Sequence, residues 1–117
     1  MQIQRLDSTL NLNSSAASLV DETVARRAAN RYLSQVVGIP FGAVAGVFIP
    51  LATPIWQFAI EFHLPRLGRL GIMGTIDVNA ETGEPISLAP TEIQKIQDRA
   101  NVIAQFSTQK TAIGLTP

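Results

Sequence analysis

The stretch VVGIPFGAVAGVFIPLATPIWQFAI, from Val36 to Ile60, holds no charged residue, and the uncharged run reaches back to Tyr32. Such a run either crosses a bilayer or supplies the buried half of a small domain. A transmembrane helix needs about 20 consecutive apolar residues, all helical, because the bilayer core offers no water to free backbone groups. Here Pro40, Pro50 and Pro54 each remove an N–H and clash with the preceding turn, at about 3 kcal/mol or more apiece. Gly38, Gly42 and Gly46 weaken a helix further. The longest proline-free piece, Phe41 to Ile49, has the length of a strand. The run therefore reads as core, and no membrane span is expected.

A chain of 117 residues, 46% of them hydrophobic, has room for one domain with one core. Nine basic residues balance nine acidic ones, so nothing electrostatic points to nucleic acid, anionic lipid or a highly charged substrate. Cysteine is absent, which excludes a disulfide framework, a thiolate nucleophile and a cysteine-based metal site. Polar residues occur throughout 1–31, with no apolar run of 7 to 15 residues behind a basic start, so the expected location is cytoplasmic.

Along the chain, residues 1–17 read as a flexible arm rich in Asn and Ser. A helix follows, capped by Ser18 or Asp21, with Glu22 in its first turn and Gly38 as its left-handed stop. Val24, Ala25, Ala28, Ala29, Tyr32, Leu33 and Val36 form its apolar stripe. Three strands are expected next. The first lies within GAVAGVFIPLA, its proline-bearing end at a sheet edge. In the second, Trp56, Phe58, Ile60, Phe62 and Leu64 point one way, while Gln57, Ala59, Glu61 and His63 point the other. The third places Leu70, Ile72, Gly74, Ile76 and Val78 on one face, and Pro65 and Gly68 make the hairpin turn. A capping box of Thr91 and Gln94 opens the last helix, whose stripe of Ile93, Ile96, Ala100, Ile103 and Ala104 ends near Phe106. Residues 107–117 show no persistent period and are expected to form a flexible tail. The expected class is α+β: helix, three-stranded antiparallel meander, helix, within one domain over 18–106, with helix packed on one sheet face.

The helix ARRAANRYLSQVVG, the strand IWQFAIEF with its central Trp56, and the closing GTIDVNAETGEPISL resemble the PepSY domain family over about residues 25–88. The matching motif is Ile76, Asp77, Val78, Asn79, Ala80, Thr82, Gly83 and Glu84. This resemblance implies a helix on a small antiparallel sheet, and a role in regulating or inhibiting peptidases or as an accessory module of secreted or membrane proteins. The chain departs from that setting in showing no export signal.

No catalytic constellation emerges. His63 is the only histidine, with Glu61 on the same strand face, and a solvated face accounts for both. Asp77, Glu81 and Glu84 cluster at a turn without the spacing of a calcium loop, and Asp77 is expected to fix that turn through backbone N–H groups. Gly71 and Gly74 lack the following helix and Lys-Ser/Thr pair of a phosphate loop, and read as a bulge or close packing. Arg26, Arg27 and Arg31 are too few for a nucleic-acid footprint.

The expectation is a non-catalytic interaction or regulatory module that self-associates through its sheet or binds a partner protein, with no cofactor, no metal and no nucleic acid. Trp56, Phe58, Phe62, Arg27 and Arg31 are the candidate interface or pocket residues. The alternatives are an antitoxin-like or peptidase-regulating subunit, and a small ligand-binding or enzymatic domain using Glu61, His63 or Asp77 beside Trp56.

Overall fold

The computed structural model describes residues 18–115. The arm expected over residues 1–17 lies outside the described residues, as do 116 and 117. Five elements follow in order: α1 (Glu22–Val36), β1 (Phe41–Ile49), β2 (Ile55–Leu64), β3 (Gly68–Asn79) and α2 (Pro90–Leu115). The strands form one antiparallel sheet in the order β1-β2-β3. This is the expected α+β meander. The uncharged run is the end of α1, the whole of β1 and the first half of β2, and no helix among the described residues is long and apolar enough to cross a membrane.

Asp21 caps α1, its carboxylate accepting from the Val24 N–H at 2.9 Å. Glu22 lies in the first turn and pairs with Arg26 one turn on. The helix stops where the Leu33 carbonyl accepts from both Val37 and Gly38, with Gly38 at φ 152°. The buried face of α1 is small: Ala25, Ala28, Ala29 and Leu33. Val24 and Val36, at the margins of the apolar stripe, are exposed instead. Three alanines let the helix lie close against the sheet, mainly over β1 and reaching across to β3.

β1 and β2 pair regularly from Phe41↔Phe62 to Val44↔Ala59, then shift by one residue before Val47↔Gln57. The extra residue leaves Ala45 at φ 57°, a left-handed conformation rare outside glycine, and brings Gly46 against Phe58. A Cβ on Gly46 would stand 2.6 Å from the Phe58 ring and 2.8 Å from the Glu22 carboxylate. On the first half of β1, the Asn30 side-chain oxygen accepts from the Ala43 N–H at 2.7 Å.

β2 alternates as expected, with Phe58, Ile60 and Phe62 buried and His63 exposed. β3 does not keep a single period. Ile60 pairs with Gly74 and Glu61 with Ile72, so Met73 is skipped. The expected row of Leu70, Ile72, Gly74, Ile76 and Val78 is therefore broken: Ile72 turns outward and Met73 enters the core. A second shift lies between Phe62 and His63, beside Gly71 at φ 136°. Gly74 admits Ile96 of α2, since a Cβ there would lie 3.1 Å from the Ile96 side chain.

The turn after β3 is fixed by Asn79 rather than Asp77. The Asn79 Oδ1 accepts from the N–H groups of Glu81 at 2.7 Å and Thr82 at 3.1 Å, while Asp77 accepts from the Gln57 side chain. Asn79 is a turn-former at the strand's end; Asp77, two residues earlier, still lies in the ladder. Leu88 then donates to the Tyr32 hydroxyl at 2.8 Å, which ties the link to α2 onto α1.

α2 opens one residue before the expected cap. Pro90 occupies the first turn, where its missing N–H costs nothing, and the Ala89 carbonyl accepts from Glu92 and Ile93. Thr91 lies inside the helix and Gln94 donates to Asp98, so the Thr91/Gln94 capping box is not the device used. The helix also runs past Phe106 to Leu115, because extending an established helix fixes one residue per added hydrogen bond.

One core joins both helices to one face of the sheet: Ala25, Ala29 and Leu33 from α1, Phe58, Ile60, Ile76 and Val78 from the strands, Ile96 and Ala100 from α2.

Candidate interaction surface

Because both helices cover the same face, the opposite face of the sheet is open. Its rows follow from the register: Val47, Gln57 and Asp77; Val44, Ala59 and Thr75; Gly42, Glu61 and Ile72; His63 and Arg69. The centre is small and half-buried, and the flanks are polar, with Gln57 donating to Asp77 at 3.1 Å. A face of that composition is compatible with water.

Exposed apolar side chains are spread over the surface, Val24, Val36, Ile39, Leu67 and Ile86 among them, and two groups sit at diagonal corners of the sheet. At the end of β1, Val47, Phe48 and Leu51 are exposed, with Phe48 edge-on to Trp56 at 5.3 Å between ring centroids. At the other corner Ile72 (53% exposed) meets α2, where Val102 (64%) and Phe106 (69%) stand off the buried row. Ile72, Met73, Val102 and Ile103 line an open groove of about 480 Å³, with Asp98 and Arg99 at its rim. Arg99 is anchored there, its guanidinium donating to the Met73 carbonyl at 2.7 Å and lying 3.9 Å from Glu92. The groove thus has an apolar lining with one tethered guanidinium at its rim. Burying a Val, Ile or Phe side chain contributes about 1.5–3 kcal/mol, which is the stabilisation left unused at each exposed position here.

Two other hollows are more mixed. One of about 450 Å³ lies between the end of α1 and α2, where Phe41 and Phe62 meet Gln94, Gln97 and Asn101. Another, of about 380 Å³, lies along β3 between Thr75, Asp77 and Glu92. Among the described residues no group of His, Asp and Glu is arranged to hold a metal ion.

The residues singled out from the sequence are not brought together. Phe58 is fully buried and Phe62 nearly so, the latter walling the hollow beside α2. Both point to the core face of β2, which removes them from any open interface. Trp56 is half-buried on that face, its indole donating to the Val20 carbonyl at 2.9 Å. Arg27 and Arg31 are exposed on α1. Glu61, His63 and Asp77 lie on the opposite side of the sheet from Trp56, so the sheet itself divides the ligand site imagined from these residues. Ile72, Val102 and Phe106, all exposed, are not among the candidate residues read from the sequence. Val102 and Phe106 are spaced i, i+4 and lie off the row of Ile96, Ala100 and Ile103, a second apolar row legible in principle. Ile72 gave no such signal, since its outward turn depends on the skipped Met73.

Comparison with protein-family models, with characterised proteins and with solved structures finds no match to this chain.

Proposed function

We propose that this protein is a non-catalytic interaction module that self-associates, through the corner where β3 meets α2 rather than through the open sheet face. The observation that carries this reading is the exposure of Ile72 and Val102 in one apolar groove, with Phe106 exposed one turn beyond Val102 on the same helix. Scattered apolar residues are normal on a surface, whereas a contiguous patch with a defined hollow marks an interface. A net charge of zero removes the self-repulsion that opposes association. Sedimentation equilibrium across a hundredfold range of concentration tests the reading: a mass rising toward a multiple of 12.6 kDa supports it, and one fixed at 12.6 kDa throughout refutes it.

A second reading, a regulatory subunit bound to a different protein, draws on the other apolar corner of Val47, Phe48 and Leu51. The PepSY-like segments are compatible with a peptidase as that partner. Co-purification from native extract that is abolished by Leu51→Asp supports it; a partner retained by that variant argues against this corner.

A further inference from the structure

We infer that the end of the molecule holding the β2–β3 hairpin docks on an anionic phospholipid surface. The connection between α1 and β1 projects at this same end, since Phe41 pairs with Phe62 and the His63 N–H donates to the Pro40 carbonyl at 3.1 Å. Leu67 donates to the Leu64 carbonyl at 3.1 Å and closes the hairpin turn. From these two loops stand Ile39, 83% exposed, and Leu67, 36% exposed. Arg66 and Arg69 flank Leu67 and are exposed, as is His63, the ladder partner of Arg69.

The zero net charge of the whole chain hides an uneven placement. No acidic residue occurs from 23 to 60 or from 62 to 76, so both loops carry cations alone. Glu61 is half-buried further back on β2, and Asp98 lies at the rim of the groove beside Ile72. The exposed acids Asp21, Glu81 and Glu84 sit at the opposite end, where α1 begins and β3 ends. A lipid surface answers both features of the tip: phosphates attract the guanidinium groups, and the acyl boundary receives Ile39 and Leu67. These two side chains line none of the hollows described above; they protrude, as insertion into a lipid boundary requires.

The test sediments the full chain with vesicles at low salt. It binds vesicles of equal parts phosphatidylcholine and phosphatidylserine, is released by high salt, and ignores phosphatidylcholine alone. Arg66→Gln and Arg69→Gln each weaken binding about fivefold, the share of one basic residue at an anionic surface. Arg27→Gln, the same charge change in the middle of α1, leaves binding unchanged. All three side chains are exposed, so circular dichroism of these variants matches the parent. Leu67→Trp places an indole at the tip, and its emission shifts to the blue on the mixed vesicles; the parent's Trp56, at the far end of β2, keeps its emission. Absence of binding to the mixed vesicles overturns the inference, as does binding indifferent to Arg66 and Arg69. Capture of polyglutamate as tight as that of vesicles, with the Leu67→Trp emission unshifted, also overturns it, in favour of an acidic protein surface. Each of these failures leaves the self-association reading standing.

Discussion

The indole N–H of Trp56 donates to the carbonyl oxygen of Val20 at 2.9 Å, and the Val20 N–H in turn donates to the Ala80 carbonyl at 2.8 Å. Ala80 itself is buried and donates to Pro54. The residue that leads into α1 is thus held between the start of β2 and the turn after β3, so Trp56 is a structural anchor. Trp56→Phe retains the ring against Phe48 but leaves the Val20 carbonyl without its donor. The expected loss is about 1–2 kcal/mol of stability, read from the urea midpoint. Trp56→Ala loses the packing as well and costs about 3 kcal/mol.

Neighbouring residues in the β1 bulge respond in opposite directions. Ala45 holds a left-handed φ of 57°, which costs an L-residue about 1–2 kcal/mol, so Ala45→Gly stabilises by about 0.5 kcal/mol after the added freedom of the unfolded chain is subtracted. Gly46→Ala drives a methyl into the Phe58 ring and costs about 1–3 kcal/mol. Paired thermal melts of the two variants check the sign of each.

Tyr32 and Leu88 are joined across 56 positions of sequence by one hydrogen bond. Tyr32→Phe keeps the ring but leaves the Leu88 N–H without an acceptor, at about 1–2 kcal/mol. Amide hydrogen exchange at Leu88 accelerates in this variant, while exchange at Phe58 and Ile60 in the central strand changes only with global stability.

Asn79 accepts two backbone N–H groups, and its turn sets the position of Ala80 beneath Val20. Asn79→Ala is expected to cost about 1–2 kcal/mol, and Asp77→Asn, which leaves that turn untouched, well under 1 kcal/mol. Urea denaturation of the pair separates the two acceptors.

Much of the fold was legible because its signals are local. Period-two alternation from Trp56 to Leu64 needs no knowledge of neighbours, and prolines at 40, 50 and 54 mark joints wherever the chain goes. What escaped depends on pairing. Whether Ile72 or Met73 faces the core is decided by β2, which skips a residue of β3, and no pattern within β3 records it. The same holds for the start of α2, where Thr91 and Gln94 have the chemistry of a cap but Pro90 and Ala89 already provide the first turn. Among the candidate interface or pocket residues, Phe58 is fully buried in the core and Phe62 walls the hollow beside α2, a distinction that alternation along β2 does not make. Val102 and Phe106 form a row already present in the sequence, whereas the exposure of Ile72 follows only from the skipped Met73.

The Ala43 amide ends on Asn30 instead of on another backbone. That side chain acts as a stopper on the first half of an otherwise bare margin, and the bulge at Ala45 bends the remainder out of the straight line a templating strand requires. An edge interrupted in this way resists the endless strand-on-strand stacking by which unguarded sheets grow into fibrils.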